Sequence, residues 1–122
     1  MVTQGLDIDA RLDGDLGLLG LSGEARVESS AEIEAAFQRL PSDGAHHVLV
    51  DLSGLRFMDS ASAGALLRAE RQQRDRGARL VLHSLHRRVA RLLDAAGLGD
   101  HFEVAGDEVE ARALVSGGAD PS

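Results

Sequence analysis

Residues 48–67, VLVDLSGLRFMDSASAGALL, decide the fold. Val48, Leu49, Val50 and Leu52 form a nearly continuous apolar run, and HHVLVDL (46–52) predicts a buried strand. A half-exposed strand would carry a polar residue at every second place, so an unbroken run suits a central strand covered on both faces. Ser53-Gly54 then predicts a turn. Leu55 to Met58 lead toward a helix from about Ala61 to Arg76, with Leu66 and Leu67 inward and Arg68, Arg71 and Arg74 outward. Gly77 stands where a helix closes through the left-handed conformation. Asp59-Ser60 therefore falls directly between the end of a strand and the start of a helix.

Upstream, Leu6, Ile8, Ala10 and Leu12 alternate with Asp7, Asp9 and Arg11, a period of two that predicts a half-buried strand. Asp13-Gly14 supplies a hairpin turn. A second strand follows over Leu16 to Ser22, with Leu19 and Leu21 on one face and Gly17, Gly20 and Gly23 loosening it. Ser29 or Ser30 can cap the next helix, whose face is Ile33, Phe37 and Leu40 and which Pro41-Ser42-Asp43-Gly44 ends. Downstream come a strand at Arg79 to Leu82 and a helix at His86 to Ala96, with Val89, Leu92, Leu93 and Ala96 on one stripe, closed by Gly97. A short strand at Phe102 to Val104 and a last helix at Glu108 to Val115, with Val109, Ala113 and Leu114 inward, complete the pattern.

The predicted order is β-β-α-β-α-β-α-β-α. Alternation of strands and helices after an opening hairpin implies right-handed crossovers. The expected fold class is α/β: a mixed, mostly parallel sheet of four to five strands with an N-terminal hairpin and about four helices. One domain is expected over residues 1–116, with a small polar tail at 117–122 frayed. No repeat, linker or second domain is visible.

Composition narrows the function. The chain has 122 residues, enough for a core without metal or disulfide support, and it has no cysteine, which excludes thiol catalysis and thiolate metal sites. A net charge of −7 opposes nucleic-acid binding, and three Phe without Trp or Tyr argue against base stacking. The one basic cluster, Arg87, Arg88 and Arg91, reads as a solvated helix face before an acidic-partner patch. No signal peptide and no apolar run of the ~18 residues needed to cross a bilayer is present, so a soluble, cytoplasmic chain without membrane insertion is expected.

Catalytic constellations are missing from the sequence. Met58-Asp59-Ser60-Ala61-Ser62 lacks both glycines of a nucleophile elbow. The five His are scattered: His46 and His47 adjoin on a strand and should point to opposite faces, while His83 and His86 straddle a strand end and a helix start without the spacing of a metal site. No carboxylate pair is singled out by spacing. Residues 14–20 (GDLGLLG) resemble a nucleotide loop only superficially, being neither G-x-G-x-x-G nor placed between a strand and a helix. An enzyme is not expected, nor a metal or other cofactor.

Ser60 has two readings. As a helix cap its hydroxyl accepts from first-turn amides and contributes about 1 kcal/mol. As a modification site, a phosphate would bring roughly −1.5 to −2 charges, favoured by the helix dipole and repelled by Asp59.

The stretch VLVDLSGLRFMDSASAGALLRAERQQRDRGARLVL resembles the signature region of STAS domains, especially anti-sigma factor antagonists, which run hydrophobic strand, DL, spacer, F-[IM]-D-S-[ST]-G-L-G, apolar helix, Gly, strand. Residues 89–98 (VARLLDAAGL) resemble the family's V-x-R-L-L-x-x-x-G-L segment, and Gly23-Glu24 resembles the start of its G-E-L-D. The resemblance covers nearly the whole chain. It implies that Ser60, after Asp59, is the phosphoacceptor, with Ser62 a competing acceptor. It also implies a partner surface at Gly23, Glu24, Arg26, Asp59, Ser60, Ala61 and Ser62. The implied partners are an anti-sigma factor that is also a serine protein kinase of the histidine-kinase-like ATPase type, bound by the unphosphorylated chain and released by phosphorylation, and a metal-dependent serine phosphatase that restores binding.

The chain departs from the family pattern at three places. Ala61 stands where Ser or Thr is common, Ser62 where Gly is usual, and Ala25-Arg26 where the family has Leu-Asp. The charge reversal at Arg26 and the altered residues Ala61 and Ser62 favour an alternative: a STAS subunit that is never switched, part of a signalling scaffold or of a membrane transporter's cytosolic complex.

Overall fold

In the computed structural model, which describes residues 5–118, five strands form one sheet in the order β1-β2-β3-β4-β5. β1 (Leu6–Asp13) and β2 (Leu16–Ala25) make the expected antiparallel hairpin, turned by Gly14 at φ +65. β2, β3 (Val48–Met58), β4 (Leu80–His83) and β5 (Glu103–Ala105) run parallel. The helices are α1 (Ser30–Ser42), α2 (Ser60–Asp75), α3 (Arg87–Ala95) and α4 (Glu108–Gly118). The expected mixed sheet with four helices is the observed one.

Strand pleating sorts the core into two layers. Leu19, Leu21, Val48, Val50, Leu52, Leu80 and Leu82 pack against α1, α2 and α3 through Ile33, Phe37, Leu66, Val89 and Leu93. Leu49 and Val81, aligned in register across β3 and β4, face the other way and meet Ala111 and Val115 of α4. Three helices on one face and one on the other explain why β3 is apolar at every place in VLV: both sides are covered.

Several elements differ from the sequence reading. Ser53-Gly54 is not a turn; β3 continues through it to Met58 with a shift of register against β2, which extends to Ala25. Gly54 is small for another reason: a Cβ there would lie 2.4 Å from Ser22 Oγ. Neither Ser29 nor Ser30 caps α1 through its side chain, because a 3-10 turn over Val27–Ser29 leads into it, and Pro41 sits inside its last turn. In α4 the buried positions are Ala111 and Val115, whereas Val109 is 77% exposed and Ala113 is also outside. Ala96 is exposed beyond the end of α3. The outer half of β1 is likewise exposed, including Leu12, because this edge strand has only α1 partly covering it. His46 and His47 precede β3, and their rings lie 4.3 Å apart instead of on opposite faces. α4 reaches Gly118; the rest of the expected tail, 119–122, lies outside the described residues.

Candidate functional site

The site grows from where β3 stops. β2 and β3 stay paired to their last residues, Glu24 opposite Phe57 and Ala25 opposite Met58. Gly23, at φ +101, lets β2 turn there, and a Cβ on it would press within 2.5 Å of the Gly5 carbonyl oxygen. The Asp59 amide donates to the Ala25 carbonyl at 2.9 Å, so the chain leaves the sheet at a fixed place.

Asp59 is the cap of α2. Its backbone is extended, and Oδ1 accepts from the Ser62 amide at 2.9 Å. The carboxylate satisfies a first-turn donor that has no helical partner. Ser60, which the sequence reading offered as the cap, is instead the first helical residue and is exposed. Its hydroxyl makes no hydrogen bond to a protein group found among the described residues.

Ser62 has the opposite fate. It is 0% exposed, and its Oγ donates to the Arg26 carbonyl oxygen at 3.1 Å. That bond stitches the end of β2 to the first turn of α2. A hydroxyl sealed in this way is out of reach of a kinase while the turn is folded, so its placement argues against the second acceptor position suggested by the resemblance. Ala61 is half-buried between these two serines.

The flanking groups complete the surface. Arg26 is exposed; its guanidinium pairs with Glu24 at 2.9 Å and lies over the Phe57 ring, 4.5 Å from the centroid. Phe57, Asp59 and Ser60 line a groove of about 270 Å³ with Ala63 of α2 and Leu92 and Ala96 of the α3 end. Sequence reasoning missed Phe57 and this α3 wall. Glu24 and Arg26, two apart where β2 runs out into extended backbone, do share a side, which is the signal that could have joined them. Hydrogen bonds thus set Arg26 beside the Asp59–Ser62 turn, in which Ser60 is exposed, Ala61 half-buried and Ser62 buried. Glu24 joins through its pair with Arg26, and Gly23 lies one residue back along β2 against Gly5. Among the described residues no group of three or more His, Asp or Glu could hold a metal ion, and His83 is buried with Nδ1 2.9 Å from Ser84 Oγ.

A family model described as "Mlab, STAS domain" matches residues 8–110. The chain belongs to the STAS domain family. This STAS domain is 28% identical over 106 residues to the anti-sigma-B factor antagonist of Staphylococcus epidermidis, covering 86% of the chain and 98% of that protein. An anti-sigma factor antagonist from Mycobacterium paratuberculosis has the same fold, with TM-score 0.80 at 16% identity over 91% of this chain and 94% of that one. The anti-sigma factor antagonist SpoIIAA in its unphosphorylated form gives TM-score 0.76 at 22% identity over 91% and 97%. The family resemblance seen in VLVDLSGLRFMDSASAGALL is confirmed by these matches, and the two solved structures establish the fold of this STAS domain. No helix among the described residues is long and apolar enough to cross a membrane.

Proposed function

We propose that this STAS domain is an anti-sigma factor antagonist of the cytoplasm whose docking is switched at Ser60. The observation that supports the reading is a division of labour at the start of α2: Asp59 caps, Ser62 stitches, and Ser60 between them is exposed with its hydroxyl unused. A residue with no structural duty can accept a phosphate without unfolding what surrounds it.

The unmodified surface binds an anti-sigma factor that is also a serine protein kinase of the histidine-kinase-like ATPase type. Ser60 Oγ attacks the γ-phosphorus of ATP held by that partner, ADP leaves, and the hydroxyl proton passes to a base of the partner. The new dianion sits at the first turn of α2, where the helix dipole favours negative charge and Asp59 opposes it. A dianion brought into an interface without a cation opposite costs several kcal/mol, and each 1.4 kcal/mol is tenfold in affinity. A serine phosphatase reverses the step.

A second reading, a STAS subunit that is never switched, is favoured by Arg26, a cation where the family pattern has an acid. Co-purification of the native partner with the chain and with Ser60→Asp separates the two. A kinase-type anti-sigma factor lost from Ser60→Asp supports the switch, whereas a transporter ATPase retained by both variants supports the second reading.

A further inference from the structure

Arg26 is out of place for a surface that only repels phosphate. We propose that Arg26 is the internal partner of a phosphate on Ser60: its guanidinium leaves Glu24 and the Phe57 ring and pairs with the dianion. The inference rests on the phosphorylation of Ser60 proposed above and specifies how the modified site rearranges.

The geometry is fixed by the backbone on both sides of Ser60. Ala25 accepts from the Asp59 amide at 2.9 Å, and Arg26 accepts from the Ser62 hydroxyl at 3.1 Å. The main chain of residues 25–26 therefore lies against the residues that flank Ser60 in sequence. The Phe57 ring carries the guanidinium at 4.5 Å and also borders the groove that Ser60 lines. The proposed exchange turns this long side chain, which already rests on that ring, about its own bonds toward Ser60.

Energetics favour the exchange. The Arg26–Glu24 pair is exposed, with side chains 50% and 32% accessible, and such pairs are weak because water screens them. A phosphate offers nearly twice the charge of a carboxylate and three acceptor oxygens, to which the planar fork of Arg binds through two N–H groups. The charged groups around the phosphate are Arg26, which stabilises the dianion, and Asp59 and Glu24, which oppose it. Pairing with Arg26 frees the Glu24 carboxylate and uncovers the Phe57 ring. Phosphorylation then changes three features of the docking face together: charge at Ser60, charge at Glu24, and the cover on an aromatic ring.

The test uses the full chain with phosphoserine installed at position 60 by genetic encoding, so that no kinase is needed. Phosphorus-31 NMR titration reads the second phosphate pKa, which is about 6 in an unperturbed phosphoserine. The expected value is lower in the native background than in Arg26→Gln by about 0.5–1 unit, since a facing cation favours the dianion. Arg26→Lys should fall between them. Glu24→Gln, which removes the competitor, should lower it further. A second pKa unchanged by Arg26→Gln would overturn the proposal. Failure of a kinase to modify Ser60 would instead defeat the switch and leave this measurement standing.

Discussion

Replacing Asp59 and Ser60 separately distinguishes the residue that holds the helix from the residue that is spare. Asp59→Ala removes the side-chain acceptor of the Ser62 amide, a bond of 2.9 Å. Loss of an N-cap costs about 0.5–2 kcal/mol in general. Ser62 is 0% exposed, so little water can replace the lost acceptor, and the upper half of that range, about 1–2 kcal/mol, applies. For a domain of this size that lowers Tm by about 3–6 °C for each kcal/mol. Asp59→Asn keeps an oxygen in place and should cost only a few tenths of a kcal/mol. Ser60→Ala should stay within about 0.5 kcal/mol of the native chain, as an exposed substitution without a partner does. With no Trp or Tyr in the chain, urea unfolding followed by far-UV circular dichroism is the suitable assay. A Ser60→Ala loss equal to that of Asp59→Ala would refute the assignment of roles, because Ser60 would then be structural and not free for modification.

Other expectations follow from single observations. Gly23→Ala puts a Cβ 2.5 Å from the Gly5 carbonyl at φ +101, so it should destabilise by more than about 1 kcal/mol and shift the β1–β2 end, as read by Tm and amide exchange. Burial, with help from His46 and Arg79, holds the His47 imidazole below its ordinary 6.5 while its Nδ1 accepts from the Arg79 amide. The unfolded chain therefore takes up this proton first. The His47 contribution to stability is complete above that value and is lost as pH falls below it. His47→Asn, which keeps an acceptor, should lose less stability than the native chain between about pH 7.5 and about pH 5.5 in parallel urea titrations. Val109→Lys should leave Tm nearly unchanged, since Val109 is 77% exposed, whereas Leu66→Ala, at a fully buried position, should cost about 2–5 kcal/mol.

Patterning was most legible where one physical demand acted alone. Val48, Leu49 and Val50 announced a strand covered on both faces, and α1–α3 with α4 supply those covers. Gly14 and Gly77 announced positive φ and have it. The reading failed where a residue type serves two purposes. Ser53-Gly54 looks like a turn, but pairing with β2 carries the strand through it, and the glycine answers to Ser22 across the sheet. Val109 and Ala113 looked inward by hydrophobicity, but contact with Leu49 and Val81 selected Ala111 and Val115. At the site, the sequence reading offered Ser60 as the cap, but Asp59, one residue earlier and equally suited by side chain, holds that place. Three-dimensional placement also separates Ser60 from Ser62, the competing acceptor of the sequence reading, by burying Ser62 and leaving Ser60 exposed. The Arg26–Phe57 contact joins residues thirty-one apart, which no local pattern reports.

The most direct measurement is the affinity of the chain for the kinase-type anti-sigma factor of the same organism, before and after incubation with ATP, with the phosphate located by mass spectrometry. The account predicts one phosphate, on Ser60, at least about 100-fold weaker binding, and an unchanged circular dichroism spectrum. A phosphate found on another residue, or a Ser60 phosphoprotein that binds as tightly as the unmodified chain, would contradict it.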